Sequence, residues 1–471
     1  MLLTVDIGTS VFKSALWDFK GNRLSLHKIP LPAGDSDGLR HETDSGQWIK
    51  AFYDGCAFLS ASFSMEGVQA LVLCGNGPSL VPVLSKEDHG ALSYVEKSLQ
   101  AKVSSINTAM PANVLPARLW LDRRATAAAA RVSGLAGGFV DASFFLPKAL
   151  HIKIEEPWLY EKTELFLGCP EFLAYALTGQ AKTVFPAEGL ERWFWTPEIL
   201  EKLELDTGKF PPFIRPGEIF GGLDSGIAAD LGLKPGIPVI SGGSDFIASI
   251  IGTGVISPGM ACNRTGTSDG INVCTQNALD GGSRLMCYRH PVKPFWNVSG
   301  TVSTTGKAIE WAAGILDCKS YEDFFSLAQA AKPGSGGVVF SPNLAGERAA
   351  KDPAKGAFCG LSLSAGRPEL ARSVLEGINF AVRDIIQNME KAGAHIEQMH
   401  VCGSLAASDF LNQIKADITG KTVVAPAQME SELLGLAAIG LCTLGKYSSF
   451  AQAAKELVPE GKTFVRNNDY A

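Results

Sequence analysis

The sequence lacks three features that would point at once to a protein class: an excess of basic residues, paired cysteines and a long apolar run. The formal net charge of its 471 residues is −6, which argues against nonspecific nucleic-acid binding because such binding needs a strong basic patch. Ten cysteines are scattered without any C-x-x-C spacing, so we expect buried thiols instead of a zinc site. No apolar run reaches ~18 residues, so no transmembrane helix is expected. The N-terminus has no basic leader followed by an apolar stretch, and we expect a cytoplasmic protein.

The length and the order of the predicted elements indicate a two-domain α/β protein. A single core stops growing at ~250–300 residues, so two domains of similar size are expected. The composition shifts near residue 240, and we place the domains at 1–240 and 241–471. Short apolar segments typical of strands alternate with segments of helical spacing, as in the predicted helix 45–60 and strand 68–74. Further helices are predicted at 120–132, 164–177, 246–251, 305–315, 369–392, 409–419 and 432–444, and a surface connection at 210–222.

One short pattern recurs in both predicted domains. Residues 2–5 and 11–17 are predicted strands on either side of a turn that contains Gly8-Thr9-Ser10. Residues 259–274 repeat this order of strand, turn with Gly266-Thr267-Ser268, and strand. A tripeptide match alone is weak support, but both copies lie in hairpin turns near the start of a predicted domain. The repetition suggests two related halves.

The first of these turns has side chains suited to phosphate binding. Gly8 lets the backbone approach an anion, and Thr9 and Ser10 offer hydroxyl and amide groups to phosphate oxygens. Asp6, at the end of the preceding strand, can orient a hydrated Mg²⁺, because magnesium keeps waters and takes few carboxylates. The alternative is a plain polar β-turn.

A second loop, Gly242-Gly243-Ser244-Asp245, joins the predicted strand 238–241 to the helix 246–251. A carboxylate at Asp245 can accept the proton of a hydroxyl that attacks a phosphoryl group. The alternative is that Asp245 only caps the helix that follows it.

Two further loops carry candidate binding groups. Residues 403–408 join a strand to a helix without forming a Rossmann or P-loop pattern, so a nucleotide there would be bound in another way. No P-loop occurs elsewhere in the chain. Residues 120–124 offer an aromatic face, a carboxylate and guanidinium groups, a mixture that suits sugars. The alternative for 120–124 is a helix start with a core tryptophan and solvated arginines.

These loops, in this order, resemble the FGGY family of carbohydrate kinases, within the sugar kinase/Hsp70/actin superfamily, over nearly the whole chain. The segments that carry the resemblance are 5–10 (first phosphate motif), 242–245 with Gly252 (G-G-x-D), 265–268 (second phosphate motif) and 401–420 (C-terminal signature). The resemblance implies two actin-like (ribonuclease H-like) α/β domains, each a mixed sheet flanked by helices, with an interdomain cleft. It places the sugar mainly on the N-terminal domain and ATP mainly on the C-terminal domain.

The resemblance also implies roles for individual residues. Asp245 would be the catalytic base, and Asp6 and Asp245 would hold Mg²⁺. Binding of ATP would fall to Gly8, Thr9, Ser10, Thr265, Gly266, Thr267, Gly306, Gly403, Ser404 and Ser408. Binding of the substrate would fall to Asn76, Gly77, Pro78, Trp120, Asp122 and Asp245.

The implied activity is ATP-dependent phosphorylation of a hydroxyl on a small sugar or polyol, with a ketopentose such as xylulose expected. The alternatives are a kinase for a hexulose, polyol or aldonate, a sugar-binding regulatory protein with this fold, and an actin- or Hsp70-like ATPase acting on proteins. The expected partners are the sugar or polyol and ATP, without nucleic acid or membrane, and a homodimer is left open. Retention of Asp6 and Asp245 favours an active kinase, because a pure sensor needs no base.

The sequence departs from the family pattern in two places. Ser404 replaces the second glycine of the C-terminal signature. The strand that ends at Cys74 is followed by Gly75-Asn76-Gly77-Pro78-Ser79, where xylulose kinases usually have Met-His-Gly, and the Arg-Glu pair of glycerol kinases is missing. The altered sugar loop leaves the identity of the sugar open.

Overall fold

The computed structural model describes residues 1–84, 115–280, 282, 285–344 and 355–467. The chain forms two compact units. The first contains Met1–Ala248 and Glu432–Ala453, and the second contains Ser249–Ser431 and the chain from Ala454 onward. The sequence prediction divided the chain once, at 240/241, whereas the structure also assigns 241–248 and the returning segment Glu432–Ala453 to the first unit.

The returning segment belongs to the first unit because its helix packs on that unit's own core. Leu433 and Leu436 of the helix Ser431–Thr443 are fully buried. Gly440 lies so close to the first sheet that a Cβ atom there would come within 2.6 Å of Val72. The Thr443 hydroxyl donates a hydrogen bond of 2.9 Å to the Gly217 carbonyl oxygen. A helix that is apolar on every side indicates burial, but its pattern does not indicate which core it joins.

The strands of the first unit are β1 (Leu2–Ile7), β2 (Val11–Trp17), β3 (Arg23–Pro30), β4 (Asp35–Asp37), β5 (Arg40–Thr43), β6 (Ala70–Gly75), β7 (Val81–Leu84), β8 (Ala117–Arg118), β9 (Thr163–Leu167), β10 (Thr183–Val184), β11 (Phe213–Ile214), β12 (Ile219–Gly222) and β13 (Pro238–Ser241). In the described part of this unit the main sheet has six strands in the order β12-β13-β6-β1-β2-β3. Strand β1 pairs antiparallel with β2 and parallel with β6. All six residues of β1 are buried, as expected for a strand covered on both faces.

The strands of the second unit are β14 (Gly259–Thr265), β15 (Asp269–Thr275), β16 (Met286–Arg289), β17 (Trp296–Val302), β18 (Val339–Ser341), β19 (Ala357–Cys359), β20 (Ile396–Cys402), β21 (Thr422–Ala425) and β22 (Lys462–Phe464). Among the described residues of this unit, seven strands form a sheet in the order β16-β17-β15-β14-β20-β21-β22. Strand β14 pairs antiparallel with β15 and parallel with β20. Both sheets therefore contain a hairpin whose first strand has a parallel neighbour on its other side.

Helices flank these sheets. Those of the first unit are Gly46–Ser60, Thr126–Leu135, Phe145–Glu155, Pro157–Lys162, Cys169–Thr178, Pro197–Lys202 and Ser225–Leu231. Those of the second unit are Gly306–Ile315, Tyr321–Gln329, Arg367–Lys391 and Asp409–Thr419. The division between the units falls within the helices Asp245–Gly252, Ser431–Thr443 and Phe450–Leu457. In the parts of the chain that the structure describes, no helix combines the length and the apolar character needed to cross a membrane.

The helix predicted at 120–132 is wrong at its start, because the helix spans Thr126–Leu135. The residues before it are held in a turn by polar contacts. The backbone N–H of His41 donates to Asp122 Oδ2 at 3.0 Å, and the Arg124 side chain also binds Asp122. The contact from His41 comes from a distant strand, so helical spacing could not indicate it.

Two other predicted segments differ from the structure. Residues 164–167, predicted as the start of a helix, lie in β9 and pair with β7 instead. The helix Cys169–Thr178 follows and ends, as predicted, at Gly179, which has φ of 67°. The predicted connection 210–222 contains β11 and β12, and β12 pairs with β13. Short strands such as these depend on partners that lie far away in the chain.

Candidate active site

The first turn, which joins β1 to β2, requires glycine at its tightest point. The backbone N–H of Gly8 donates to the Val11 carbonyl oxygen at 3.1 Å, and a Cβ atom on Gly8 would come within 2.6 Å of that oxygen. Thr9 is half-buried and Ser10 is exposed. The Thr9 hydroxyl accepts a hydrogen bond of 2.9 Å from the Trp120 indole nitrogen. The turn therefore has a fixed backbone, and its two hydroxyl-bearing residues lie at its surface.

Asp6 lies beside this turn in a crowded electrostatic environment. Its carboxylate is 3.4 Å from the Lys13 ammonium nitrogen, directly across the hairpin. Lys13 also lies 3.9 Å from a carboxylate oxygen of Glu432, which the returning helix brings into the first unit. Burial raises the pKa of Asp6 to about 6. Lys13 lowers this pKa, while the charges of Glu432 and Asp245 raise it further. The first unit thus places the carboxylates of Asp6 and Glu432 beside Lys13, and the charge of Asp245 acts on Asp6.

Glu432 is a residue that sequence reasoning missed. It stands at the start of the predicted helix 432–444, where an acidic residue is ordinary because the helix dipole favours negative charge. Its proximity to Lys13 and Asp6 depends on the return of the chain to the first unit. No local pattern in the sequence indicates that return.

Close packing requires the two glycines of the loop before Asp245. Gly243 has φ of 80°, and a Cβ atom on Gly242 would come within 2.0 Å of Leu436 and 2.8 Å of the Leu73 carbonyl oxygen. Asp245 is the first residue of the helix Asp245–Gly252. Its Oδ1 accepts a hydrogen bond of 2.7 Å from the backbone N–H of Phe246. The two glycines hold the strand-to-helix junction, and the carboxylate of Asp245 is anchored at the helix start.

The predicted sugar loop is tied to β1 through Asn76. The Asn76 side-chain amide donates to the Ile7 carbonyl oxygen at 3.0 Å, and its carbonyl oxygen accepts a hydrogen bond from Ser79. Asn76 is buried, and these contacts hold the loop next to the first turn. Its role in substrate binding stays a prediction, in which the side chain orients the loop.

The other predicted sugar segment is built on ion pairs. Burial acts to raise the pKa of Asp122, but hydrogen bonds from Arg124 and from the His41 backbone outweigh burial and lower it. Arg124 also binds Glu42, and Arg123 binds Asp141. These arginines are therefore paired, whereas the alternative for 120–124 had them solvated. Trp120 contacts Thr9, so this segment lies beside the first turn.

In the second unit the structure brings several predicted nucleotide residues together. The Gly306 N–H donates to the Gly266 carbonyl oxygen at 2.9 Å, and the Thr305 N–H donates to the Thr267 carbonyl oxygen at 3.1 Å. Gly403 has φ of 89°, and a Cβ atom there would come within 2.2 Å of the Thr265 carbonyl oxygen. The second turn is thus enclosed by two glycine-dependent backbone contacts.

The remaining residues of this group lie at the helix that follows. Ser404 begins a short 3₁₀ helix, Ser404–Ala407. The Ser408 hydroxyl accepts a hydrogen bond of 3.3 Å from the Leu411 N–H and caps the helix Asp409–Thr419. The hydroxyl of Thr305 is buried and finds no hydrogen-bond partner among the described residues.

Lys415 is a second residue that sequence reasoning missed. It is fully buried and lies 3.5 Å from Asp269, and its ammonium group donates to Asn263 and, at 3.2 Å, to Thr265. Burial lowers the pKa of Lys415, and the charge of Asp269 opposes that effect. A single lysine inside an amphipathic helix gives no signal that its partners lie about 150 residues away.

The residues of the first unit fit a hydrated Mg²⁺. No group of three or more histidine, cysteine, aspartate or glutamate side chains that could hold a metal occurs in the described ranges. Magnesium needs fewer, because it keeps several waters and uses one or two carboxylates. Asp6 and Asp245 would supply two, and their charges interact, since the charge of Asp245 contributes to the raised pKa of Asp6.

A cavity of about 450 Å³ lies elsewhere in the second unit, between the helices Arg367–Lys391 and Asp409–Thr419. Its lining includes Arg372, Glu376 and Asp417 but none of the predicted ATP-binding residues. The cavity therefore does not belong to the candidate site.

Comparison with known proteins decides the family. The FGGY family of carbohydrate kinases, N-terminal domain, matches residues 1–252, and the C-terminal domain of the same family matches residues 261–444. The chain belongs to the FGGY family of carbohydrate kinases. It is a phosphotransferase that uses ATP and an alcohol group of a carbohydrate, which confirms the enzyme class predicted from the sequence.

Individual FGGY kinases agree with this assignment. Xylulose kinase of Staphylococcus epidermidis is 26% identical, over 100% of this chain and 93% of that protein. Gluconokinase of Bacillus subtilis is also 26% identical, over 95% of this chain and 88% of that protein. The crystal structure of ligand-bound xylulose kinase from Lactobacillus acidophilus has a TM-score of 0.83 at 22% identity, covering 100% of this chain and 95% of that chain. The predicted pair of actin-like domains is confirmed.

Proposed function

We propose that this FGGY kinase phosphorylates a hydroxyl of a neutral ketopentose such as xylulose, with Asp245 as the general base. The observation that supports the proposal is the carboxylate group of the first unit, in which Asp6 and Asp245 interact electrostatically next to a phosphate-type turn. The names of several relatives, including xylulose kinase of Staphylococcus epidermidis, support the choice of sugar.

Asp245 would act at the moment of attack. Its Oδ1 bond to the Phe246 N–H fixes the orientation of the carboxylate at the helix start. The carboxylate would remove the proton from the sugar hydroxyl as that oxygen attacks the terminal phosphoryl group of ATP. The carboxylates of Asp6 and Asp245 would hold Mg²⁺, which supplies charge neutralisation on the transferring group when bound.

The two turns would hold the phosphates. Thr9 and Ser10 of the first turn, and Thr265 and Thr267 of the second, would supply hydroxyl and amide groups. The second turn is fixed by backbone bonds from Thr305 and Gly306, so its amides need little reorganisation when an anion arrives.

The charges near the sugar segments favour a neutral substrate over an aldonate. Arg118 binds Glu156, Arg123 binds Asp141, and Arg124 binds both Glu42 and Asp122. Within the described residues, each guanidinium of 118–124 is therefore already neutralised by a carboxylate. To bind one of these guanidinium groups, a sugar acid would have to displace its carboxylate partner, which costs free energy.

A panel of substrates tests the choice of sugar. ADP release would be measured with pentuloses, hexuloses, polyols and aldonates, and we expect the highest kcat/KM with a ketopentose. A higher value with gluconate would overturn the neutral-sugar assignment, in line with the gluconokinase relative. Absence of ADP release with every substrate of the panel would favour a sugar-binding regulatory protein.

The Mg²⁺ requirement is tested by removing the metal with EDTA in the same assay. A cytoplasmic location and a homodimer stay predictions.

The base assignment is tested by Asp245→Asn, with Asp224→Asn as the matched control. We expect Asp245→Asn to lower kcat by at least ~10²-fold, because asparagine cannot accept the proton. Asp224 also stands at a helix start, where its Oδ1 caps Gly226 and Ile227, and Asp224→Asn should leave kcat unchanged. If Asp245 only capped its helix, asparagine would replace it without loss, and wild-type turnover would exclude the base role.

A further inference from the structure

A fully buried lysine lies behind the two proposed sugar segments. Lys148, in the helix Phe145–Glu155, has no exposed surface. Its ammonium nitrogen donates to the carbonyl oxygens of Pro78 at 2.8 Å, Leu119 at 2.7 Å and Arg118 at 3.4 Å. No carboxylate of the described residues lies within ion-pair distance of Lys148, so its hydrogen-bond partners are backbone carbonyl oxygens of these two segments.

The segments that Lys148 joins are those we propose for the sugar. Pro78 belongs to the loop that Asn76 ties to β1, and Leu119 directly precedes Trp120, which contacts Thr9. The two segments also meet through paired backbone bonds of 2.8 Å between Leu80 and Arg118. Lys148 therefore adds side-chain hydrogen bonds to the backbone bonds that join the two segments.

Retaining an unpaired lysine in this position is unfavourable for stability. Burial lowers the pKa of Lys148 to about 7. The nearby charges of Asp122 and Asp141 raise this pKa, while those of Arg118 and Arg124 lower it. A methionine would fill the same space without burying a charge. Buried ionisable groups with displaced pKa values are common at functional sites, so we look for a functional role of Lys148 in addition to packing.

We propose that Lys148 is a positioning residue for the sugar: its three hydrogen bonds set the spacing between the Pro78 loop and the Leu119–Trp120 segment. This inference rests on the proposed function, because it assumes that these segments bind the sugar. The ammonium group has three N–H donors and the neutral amine has two, so loss of the proton weakens the link. Sugar affinity should then decrease as the pH rises through the titration of Lys148, while ATP affinity stays constant.

The experiment compares Lys148→Met and Lys148→Gln with Lys153→Met. Methionine removes every donor, and glutamine keeps N–H donors without the charge. Lys153 lies on the same helix and binds the backbone of Glu204 instead, so its variant controls for loss of a lysine from this helix. Calorimetry without ATP gives the sugar Kd, ADP release gives both KM values, and thermal unfolding reports the fold.

We expect the sugar Kd and KM to rise at least tenfold in Lys148→Met and less in Lys148→Gln. The KM for ATP should stay within twofold, and Lys153→Met should match the wild type. An unchanged sugar Kd in a folded variant would overturn the proposal. So would an equal rise in the sugar and ATP KM values, because a general structural defect affects both.

The pH profile separates positioning from packing. Between pH 6 and 9 the wild-type sugar Kd should rise severalfold, and the folded variants should show a flat profile. If neither variant folds, the wild-type profile decides, and a flat wild-type Kd would overturn the proposal. A wild type that binds sugar without releasing ADP would sink the proposed function alone, since the Kd comparison still tests Lys148. Absence of sugar binding would sink both.

Discussion

The two hairpin turns join strands that pair in the same way, but the ion pairs beside them differ in burial and in the charges around them. In the first unit, Asp6 faces Lys13 at 3.4 Å, the lysine side chain is 21% exposed, and Glu432 and Asp245 add further negative charge. In the second unit, Asp269 faces Lys415 at 3.5 Å, and both side chains are almost completely enclosed. The first turn therefore lies beside several carboxylates that act on one another, and the second lies beside a single enclosed ion pair.

This difference indicates a division of labour. A cluster of carboxylates next to a turn suits metal binding and proton acceptance. A balanced, buried pair suits a scaffold that keeps backbone amides and hydroxyls in fixed positions for an anion. We expect substitutions in the first pair to change activity and substitutions in the second pair to change stability.

The largest effect is expected from Asp269→Asn. It leaves the buried Lys415 without its carboxylate, and breaking a buried pair in this way costs roughly 3–5 kcal/mol. Urea unfolding measures the change in free energy. Lys415→Met combined with Asp269→Asn is the control, and it should recover much of the loss because no unpaired charge remains. A single variant as stable as the wild type would contradict a closed, balanced pair.

Asp6→Asn should lower activity without lowering stability. We expect kcat to fall by ~10²-fold, comparable with loss of a group essential to the chemistry, because one proposed Mg²⁺ ligand is lost. The pKa of Asp6 is raised in the folded state, so in metal-free buffer this carboxyl reduces stability as the pH rises from about 4 to about 6. The variant should therefore be at least as stable as the wild type at pH 7, with the difference vanishing near pH 4. A large loss of stability at pH 7 would show that the ion pair beside the first turn stabilises the fold as the pair beside the second turn does.

The glycines of the two turns offer a matched pair of variants. A Cβ atom on Gly8 would meet the Val11 carbonyl oxygen at 2.6 Å, whereas one on Gly266 has its nearest neighbour at 3.9 Å. We expect Gly8→Ala to cost about 1–3 kcal/mol, the usual range for overpacking, and Gly266→Ala to cost much less. Thermal unfolding of both variants checks this, and equal losses would show that the two turns have the same steric requirement.

The smallest effect is expected from Trp120→Phe. The first turn is tied by the indole bond to Thr9, whereas the second is tied by backbone bonds from Thr305 and Gly306. Loss of one such hydrogen bond costs about 1 kcal/mol, and the KM for ATP should rise by no more than ~5-fold. Trp158→Phe, at a more exposed position in the first unit, is the control and should change neither quantity. A rise confined to the KM for the sugar would show that the bond to Thr9 does not support the first turn and that Trp120 acts only through the proposed sugar segment.

Much of the fold was predictable because its determinants are local. The turn at Gly8, the strand Pro238–Ser241 and the helix Asp409–Thr419 each have their pattern and their cap within a few residues. The segment 120–124 and β9 were mistaken because distant polar contacts and strand partners override local spacing.

The residues of the candidate site also differ in whether their determinants are local or distant. Glycine turns and Asp245 stand in recognisable loops, so their residues could be singled out from the sequence. Lys148, Lys415 and Glu432 could not, because each is a single charged residue in a helix whose contacts lie about 30 to more than 400 residues away. Buried charge is a property of the assembled core, and a linear pattern does not record it.

The returning helix has a consequence for anyone who would divide this protein. A fragment that ends before Ser431 lacks the side chain of Leu436 that packs against Gly242, the Gly440 contact with Val72, and the Thr443 bond to Gly217. Such a fragment would expose an apolar groove on its sheet and invite aggregation. The first unit is therefore not an independent module in gene design. To be expressed alone, it would need residues 432–453 grafted back through a linker.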